Sequence, residues 1–278
     1  MLSPSCPAYK LYWLCLGFWV LLAVLTSLIL CALVAHSFRP VTSSPGSVQL
    51  RGFDGMGVLL AFVGFVAIAS LLSIGVAASV LVALGLHEAG RVLAHWMLGH
   101  GQTNFRFLPL ITGDPISHSQ PRDDTELAFM SLMGAGLSLA PMALSLSLWQ
   151  VLSENGAPFS GYFLVFGTSL GAVNFLLLLP FWRLPGRSCA DVVSRAFWPA
   201  LAPGMAAFLG AAFLAAGLRA GSVALLLIGA YGISSIFRKP RRGTAAMSSA
   251  DALIALAAYA FTLAAHFGAT MMLVQAIL

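Results

Sequence analysis

The sequence predicts an all-α, polytopic transmembrane helix bundle of about seven spans, with a small membrane-associated hairpin. Three observations predict it. Hydrophobic residues make up 59% of the 278 residues and charged residues only 8%, against about 45–50% and 25% in soluble domains. So few charges cannot cover a water-exposed surface, so lipid is the solvent for much of the chain. The apolar residues also run in stretches long enough to span a bilayer, and the Lys and Arg residues gather in alternate segments between them.

Candidate spans are Leu11–His36, Gly57–Leu98, Leu127–Leu152, Ser160–Trp182, Phe197–Leu218, Ser222–Phe237 and Ala250–Leu278. The run Leu11–Ala35 exceeds the roughly 7–15 residues of a signal-peptide core and reads as the first span. Gly57–Leu98 is too long for one simple crossing: it projects beyond the membrane, kinks near Gly75, or is two helices. With the N-terminus inside and Gly57–Leu98 taken as a single crossing, Arg106 and Arg122, then Arg183, Arg187 and Arg195, then Arg238–Arg242 all fall on the cytoplasmic side. Arg39, Arg51, Glu154 and Arg219 fall outside, in line with the positive-inside rule. The expectation is an integral multi-pass protein of the bacterial inner membrane, N-terminus inside, in contact with membrane lipid.

The formal net charge is +5, but it does not point to nucleic acid. Only Arg238, Lys239, Arg241 and Arg242 cluster, and they sit between two apolar stretches as a juxtamembrane anchor does. Cys6, Cys15, Cys31 and Cys189 show no CxxC spacing, which leaves neither a disulfide framework nor a cysteine metal site. Residues 99–126 form the one sizeable polar stretch; Phe105–Leu108 alternates like a strand before Pro109, Gly113, Pro115 and Pro121, the pattern of a short hairpin.

Ionisable groups inside a span are costly and mark candidate sites. His87, Glu88, Arg91 and His95 lie in Leu86-His87-Glu88-Ala89-Gly90-Arg91-Val92-Leu93-Ala94-His95, and positions 87, 91 and 95 share a helix face. The spacing is that of the zinc-protease pattern H-E-x-x-H, in which two histidines one turn apart hold the metal and the Glu is general base. Here Arg91 stands in the second histidine position, and a guanidinium has no lone pair to give a metal. His95 cannot replace it, being two turns and about 12 Å from His87 along the axis. Each residue also has a plainer reading. His87 and Glu88 would be a polar pair at a helix end, Asp191 a loop acid beside Arg187 and Arg195, and Asn174 an interhelical hydrogen bond. Gly134, Gly136 and Ala140 would be packing positions, and His95 and His100 interfacial residues. His118 and His266 carry no local pattern.

His87–Ala94 resembles the first core helix of the site-2 protease family of intramembrane zinc metalloproteases, usually HEAGH or HELGH. Arg106–Gly113 resembles the hairpin that follows it. Ser131-Leu132-Met133-Gly134-Ala135-Gly136 resembles the small-residue helix usually written SLAGP. The helix with Asn174 that ends at Pro180 resembles the third core element, with Asn, Pro and then Asp-Gly. The resemblance covers roughly residues 70–195 and implies zinc held by His87 and Asp191, with Glu88 as the catalytic base and Asn174, Gly134 and Gly136 in support. The chain departs from the pattern at Arg91, at Ala135 in place of Pro, at Leu177 where Asn often stands, and at Val192 in place of Gly after Asp191. The expected division is 1–56 for a first span and outside loop, 57–195 for the core, and 196–278 for C-terminal helices.

Three functional classes follow. One is a zinc-dependent hydrolase performing intramembrane proteolysis of a transmembrane protein substrate. The second is a pseudoprotease that binds transmembrane partners without cleaving them, with Arg91 replacing the metal by neutralising Glu88 or Asp191. The chemistry of Arg91 favours the second. A transporter is the third and weakest, because Glu88 is the only acid well inside a span.

Overall fold

A computed structural model describes residues 21–32, 49–53, 55–100, 102–105, 121–237 and 245–277. The chain folds as an all-α membrane helix bundle. Its described helices are α1 (Leu21–Ala32), α2 (Gly55–Leu71), α3 (Ile74–Met97), α4 (Asp124–Glu154), α5 (Ser160–Leu178), α6 (Pro185–Phe197), α7 (Leu201–Ala220), α8 (Val223–Ser234) and α9 (Ser249–Ile277). A single 3-10 turn, Ser235–Phe237, extends α8. Helices α3, α4, α5, α7 and α9 are long and apolar enough to cross a membrane; α1, α2 and α8 are shorter apolar helices.

The stretch Gly57–Leu98 is two helices, which corrects the single-crossing expectation. Helix α2 stops at Leu71, and Ser73 caps α3 by accepting the Val76 N–H on its hydroxyl at 3.2 Å. Two short strands reveal the path of this pair. Strand β1 (Gln49–Phe53) leads into α2, and β2 (Gln102–Phe105) follows α3; the two pair in parallel, Gln49 opposite Gln102 and Phe53 opposite Phe105. Laid end to end, α2 and α3 would measure about 60 Å at 1.5 Å per residue. The residues joining Gly55 to Met97 through the paired strands reach at most about 40 Å at 3.5 Å each. The two helices therefore fold back, and the start of α2 lies at the same end of the bundle as the end of α3. The strand expected within Phe105–Leu108 begins earlier, at Gln102, and its partner among the described residues is β1. Residues 106–120, and with them His118 and the rest of that hairpin, lie outside the described residues. So does the basic cluster Arg238–Arg242.

Helix α4 starts beside the end of α3, where the Asp123 carboxylate accepts the Glu126 N–H at 2.8 Å. At 31 residues it is about 46 Å long, more than the hydrocarbon core of roughly 30 Å. Helix α5 returns and ends just before Pro180, where a helix ordinarily stops. The chain then turns sharply into α6. A side chain at Gly186 would put its first carbon 1.9 Å from the Leu178 carbonyl oxygen, so only glycine permits this approach. Arg183 takes a positive φ of 66° in the turn and lays its guanidinium over the Trp182 ring at 4.3 Å. Helices α7 and α8 form a hairpin closed by Gly221 at φ 63°, and α9 runs back along α4 and α5.

Four helices meet in a dry centre. Ala83 of α3, Met142 of α4, Leu170 of α5 and Ala269 of α9 share one buried cluster. A neighbouring cluster joins Ala135 of α4, Leu178 of α5, Cys189 of α6 and Tyr259 of α9.

Candidate functional site

The site lies between these two clusters. Helix α3 can approach α4 closely because each presents a glycine. A side chain at Gly90 would lie 2.5 Å from the Met133 carbonyl oxygen, and one at Gly134 would lie 2.7 Å from His87 Cε1. Gly134 is thus the floor beneath the His87 ring. Gly136, by contrast, has open space where a side chain would go, so the supporting role expected of it is not met.

His87 and Glu88 are fully buried. The plainer reading of a polar pair facing headgroups does not hold. Asn174, also fully buried, places its amide oxygen 2.8 Å from His87 Nδ1 and donates its own Nδ2–H to the Leu170 carbonyl at 2.9 Å. The second bond fixes which way the amide faces. The Asn174 oxygen must then accept, His87 Nδ1 carries the proton, and Nε2 keeps its lone pair. No described protein group hydrogen-bonds that Nε2. Orientation of an imidazole by a carbonyl on its far nitrogen is what metal-ligating histidines have.

The second histidine place does the opposite. Arg91 Nη1 donates to Glu88 Oε1 at 3.0 Å, with the Arg side chain partly exposed and the Glu side chain fully buried. A lone carboxylate in an apolar interior would cost several kcal/mol or take up a proton, and the guanidinium offsets that. Glu88, the acid expected as catalytic base, is therefore engaged by Arg91.

Asp191 sits on α6, an amphipathic helix rather than a loop, and it is buried. Arg187 Nε donates to its Oδ1 at 2.8 Å. Its depth is right for a shared site, because Ala135, next to Gly134 beneath His87, packs on Cys189, two residues before Asp191. The described contacts of His87, however, run to Asn174 and Gly134, and the described ion pair of Asp191 runs to Arg187. Among the described residues no three His, Cys, Asp or Glu side chains are placed to hold one metal ion. The residues present do not fit the zinc set that the resemblance implies.

His95 and His100 take no part in the His87 pocket. Their rings meet edge to face at 5.7 Å near the end of α3, and His100 Nε2 lies 3.5 Å from Glu126. His266 on α9 carries no local pattern in the sequence, although it could in principle reach a rebuilt metal site. It is fully buried, and its Nδ1 lies 2.7 Å from the Thr262 carbonyl oxygen. An ionisable residue inside an apolar span was the available signal. Arg195 ties α6 to α4 by gripping Asp124 at 2.6 and 3.0 Å, and Tyr259 of α9 donates to the Leu178 carbonyl at the end of α5 at 2.7 Å.

Two surface clefts lie away from this pocket. One, of about 300 Å³, is lined by Trp198, Leu201, Met205 and Phe208; the other, also about 300 Å³, by Leu177, Phe181, Leu227 and Tyr231. No family model, no curated protein and no solved structure matches the chain, so the functional reading rests on the site's own geometry.

Proposed function

We propose that this chain is a non-catalytic member of the site-2 protease-like scaffold, which holds transmembrane partners without cutting them. The observation that carries the reading is the Arg91–Glu88 pair at 3.0 Å. It removes a metal ligand and occupies the general base in one substitution, and hydrolysis needs both. The rest of the pattern, His87 oriented by Asn174 over Gly134, is consistent with descent from a metal-binding ancestor.

Partner binding falls to the apolar surface. The cleft between α5 and α8, walled by Leu177, Phe181, Leu227 and Tyr231, is of a size to take a large side chain from a neighbouring transmembrane helix. The strand end of the bundle faces the cytoplasm in this reading, since Arg122, Arg183, Arg187 and Arg195 lie towards it while Glu154 and Arg219 lie at the other. Because α2 and α3 fold back, β1 lies at that same end.

The test is cleavage of transmembrane reporter helices by the full chain reconstituted in liposomes with Zn²⁺. No cleavage is expected from the unaltered chain. Chelator-sensitive cleavage that disappears in Glu88→Gln sinks the reading and restores the protease.

A further inference from the structure

We propose that the cleft between α5 and α8 holds an anionic phospholipid, with part of an acyl chain in the cleft and the phosphate on Arg183. This goes beyond the partner reading: the lipid fills the cleft when no partner is present, and a partner helix must displace it.

The cleft itself selects an apolar chain. Its inner wall, Leu177, Phe181 and Leu184, is buried, while Leu227 at the rim is exposed, so the opening faces the surrounding lipid. The Tyr231 hydroxyl is the one polar side-chain group in the lining, and it is engaged, donating to the Trp182 carbonyl. A polar ligand would therefore meet no side-chain group to recognise it, and a hydrocarbon chain would lose nothing by entering.

The mouth of the cleft is built differently. The Trp182 N–H donates to the Ser235 hydroxyl at 2.9 Å, and its carbonyl accepts from Tyr231, so both backbone groups of Trp182 are tied to the end of α8. Arg183 follows in this anchored turn, between Phe181 and Leu184, which both line the cleft. Its φ of 66° belongs to the region where glycine is at ease and a side chain is strained. Strain that keeps a side chain in such a place points to a use for that side chain. The guanidinium is exposed and lies over the Trp182 ring at 4.3 Å, and no ion pair among the described residues engages it. A cation fixed at the mouth of an apolar cleft, beside an aromatic ring, complements a phosphate that carries an acyl chain.

The experiment is native mass spectrometry of the full chain in detergent, titrated with phosphatidylglycerol or with phosphatidylcholine of the same acyl chains. Phosphatidylglycerol should bind more tightly by about fivefold, the worth of one arginine against an anionic headgroup. Arg183→Gly suits the positive φ and removes the cation, so its thermal unfolding should match or exceed that of the unaltered chain. Its affinity for phosphatidylglycerol should fall to the level of phosphatidylcholine. Leu227→Trp fills the cleft from its exposed rim and should weaken both lipids. Arg122→Gln removes another exposed cation at the same end of the bundle and should change neither. The proposal is overturned if the two lipids bind alike, if Arg183→Gly keeps phosphatidylglycerol as well as the unaltered chain does, or if Leu227→Trp leaves binding intact. It is overturned equally if Arg122→Gln costs as much as Arg183→Gly, which would reduce the effect to general attraction. Cleavage is not measured, so this site and the non-catalytic reading fail separately.

Discussion

At the scale of single residues, the chain neutralises a buried acid with a guanidinium on the same helix. Glu88 is fully buried, and Arg91 reaches it from one turn along the same helix. Removing one partner of a buried ion pair is costly, and the partial exposure of Arg91 moderates that cost. Arg91→Ala should therefore lower the unfolding free energy by about 3 kcal/mol. Glu88→Gln in the same chain should recover most of it, and a double-mutant cycle by thermal unfolding in detergent measures the coupling. Additive losses would show that the pair is not coupled. Cys189 gives a second residue-scale expectation. Burial in the cluster of Ala135, Leu178 and Tyr259 pushes its thiol up to about 12. It stays protonated at neutral pH, and a protonated thiol is a poor nucleophile. Maleimide at pH 7.5 should leave it unlabelled in the folded chain and label it after denaturation. By sign, a raised thiol pKa stabilises the fold below the unfolded value near 9 and loses that contribution as pH climbs towards 12.

Among the helices, close contacts decide which small residues matter. Gly134 and Gly136 look equivalent in sequence, yet one is the floor under His87 and the other faces open space. Gly134→Ala should push on the His87 ring and destabilise by about 1–3 kcal/mol, the usual cost of overpacking. Gly136→Ala should be neutral or stabilising by up to about 1 kcal/mol, because alanine is the better helix former. Equal effects on the unfolding midpoint would contradict this placement. Spacing alone could not separate the two glycines, since both belong to one small-residue run and only the approach of α3 distinguishes them. The same limit hid α6. Its apolar and polar residues are mixed along thirteen positions, too short and too polar to read as a span, so Asp191 looked like a loop acid. His87, Glu88 and Asn174 were legible because polar groups stand out within apolar runs. His266 stood out equally but belonged to no motif.

For the whole molecule, composition made the bundle legible, and hydropathy located α4, α5, α7 and α9 to within a few residues but ran α2 and α3 together. The path between them was not legible where it depended on β1 meeting β2, because parallel pairing across some fifty residues leaves no local signal. That pairing changes the topology. If α2 and α3 fold back, Ser73 lies at the end of the bundle opposite Gln102, close to the side of Gly156 and Gly221. A single crossing through Gly57–Leu98 would instead set Gly55 and Gln102 on opposite sides. Single cysteines at positions 73, 156 and 122, in a chain with its native cysteines replaced, should label in two classes with a membrane-impermeant maleimide on intact, oriented vesicles. Positions 73 and 156 should react from the side opposite position 122. Cysteine at position 55 is the deciding probe, and it should react with the class of position 122. Reaction at 55 from the side of position 156 would restore the single crossing.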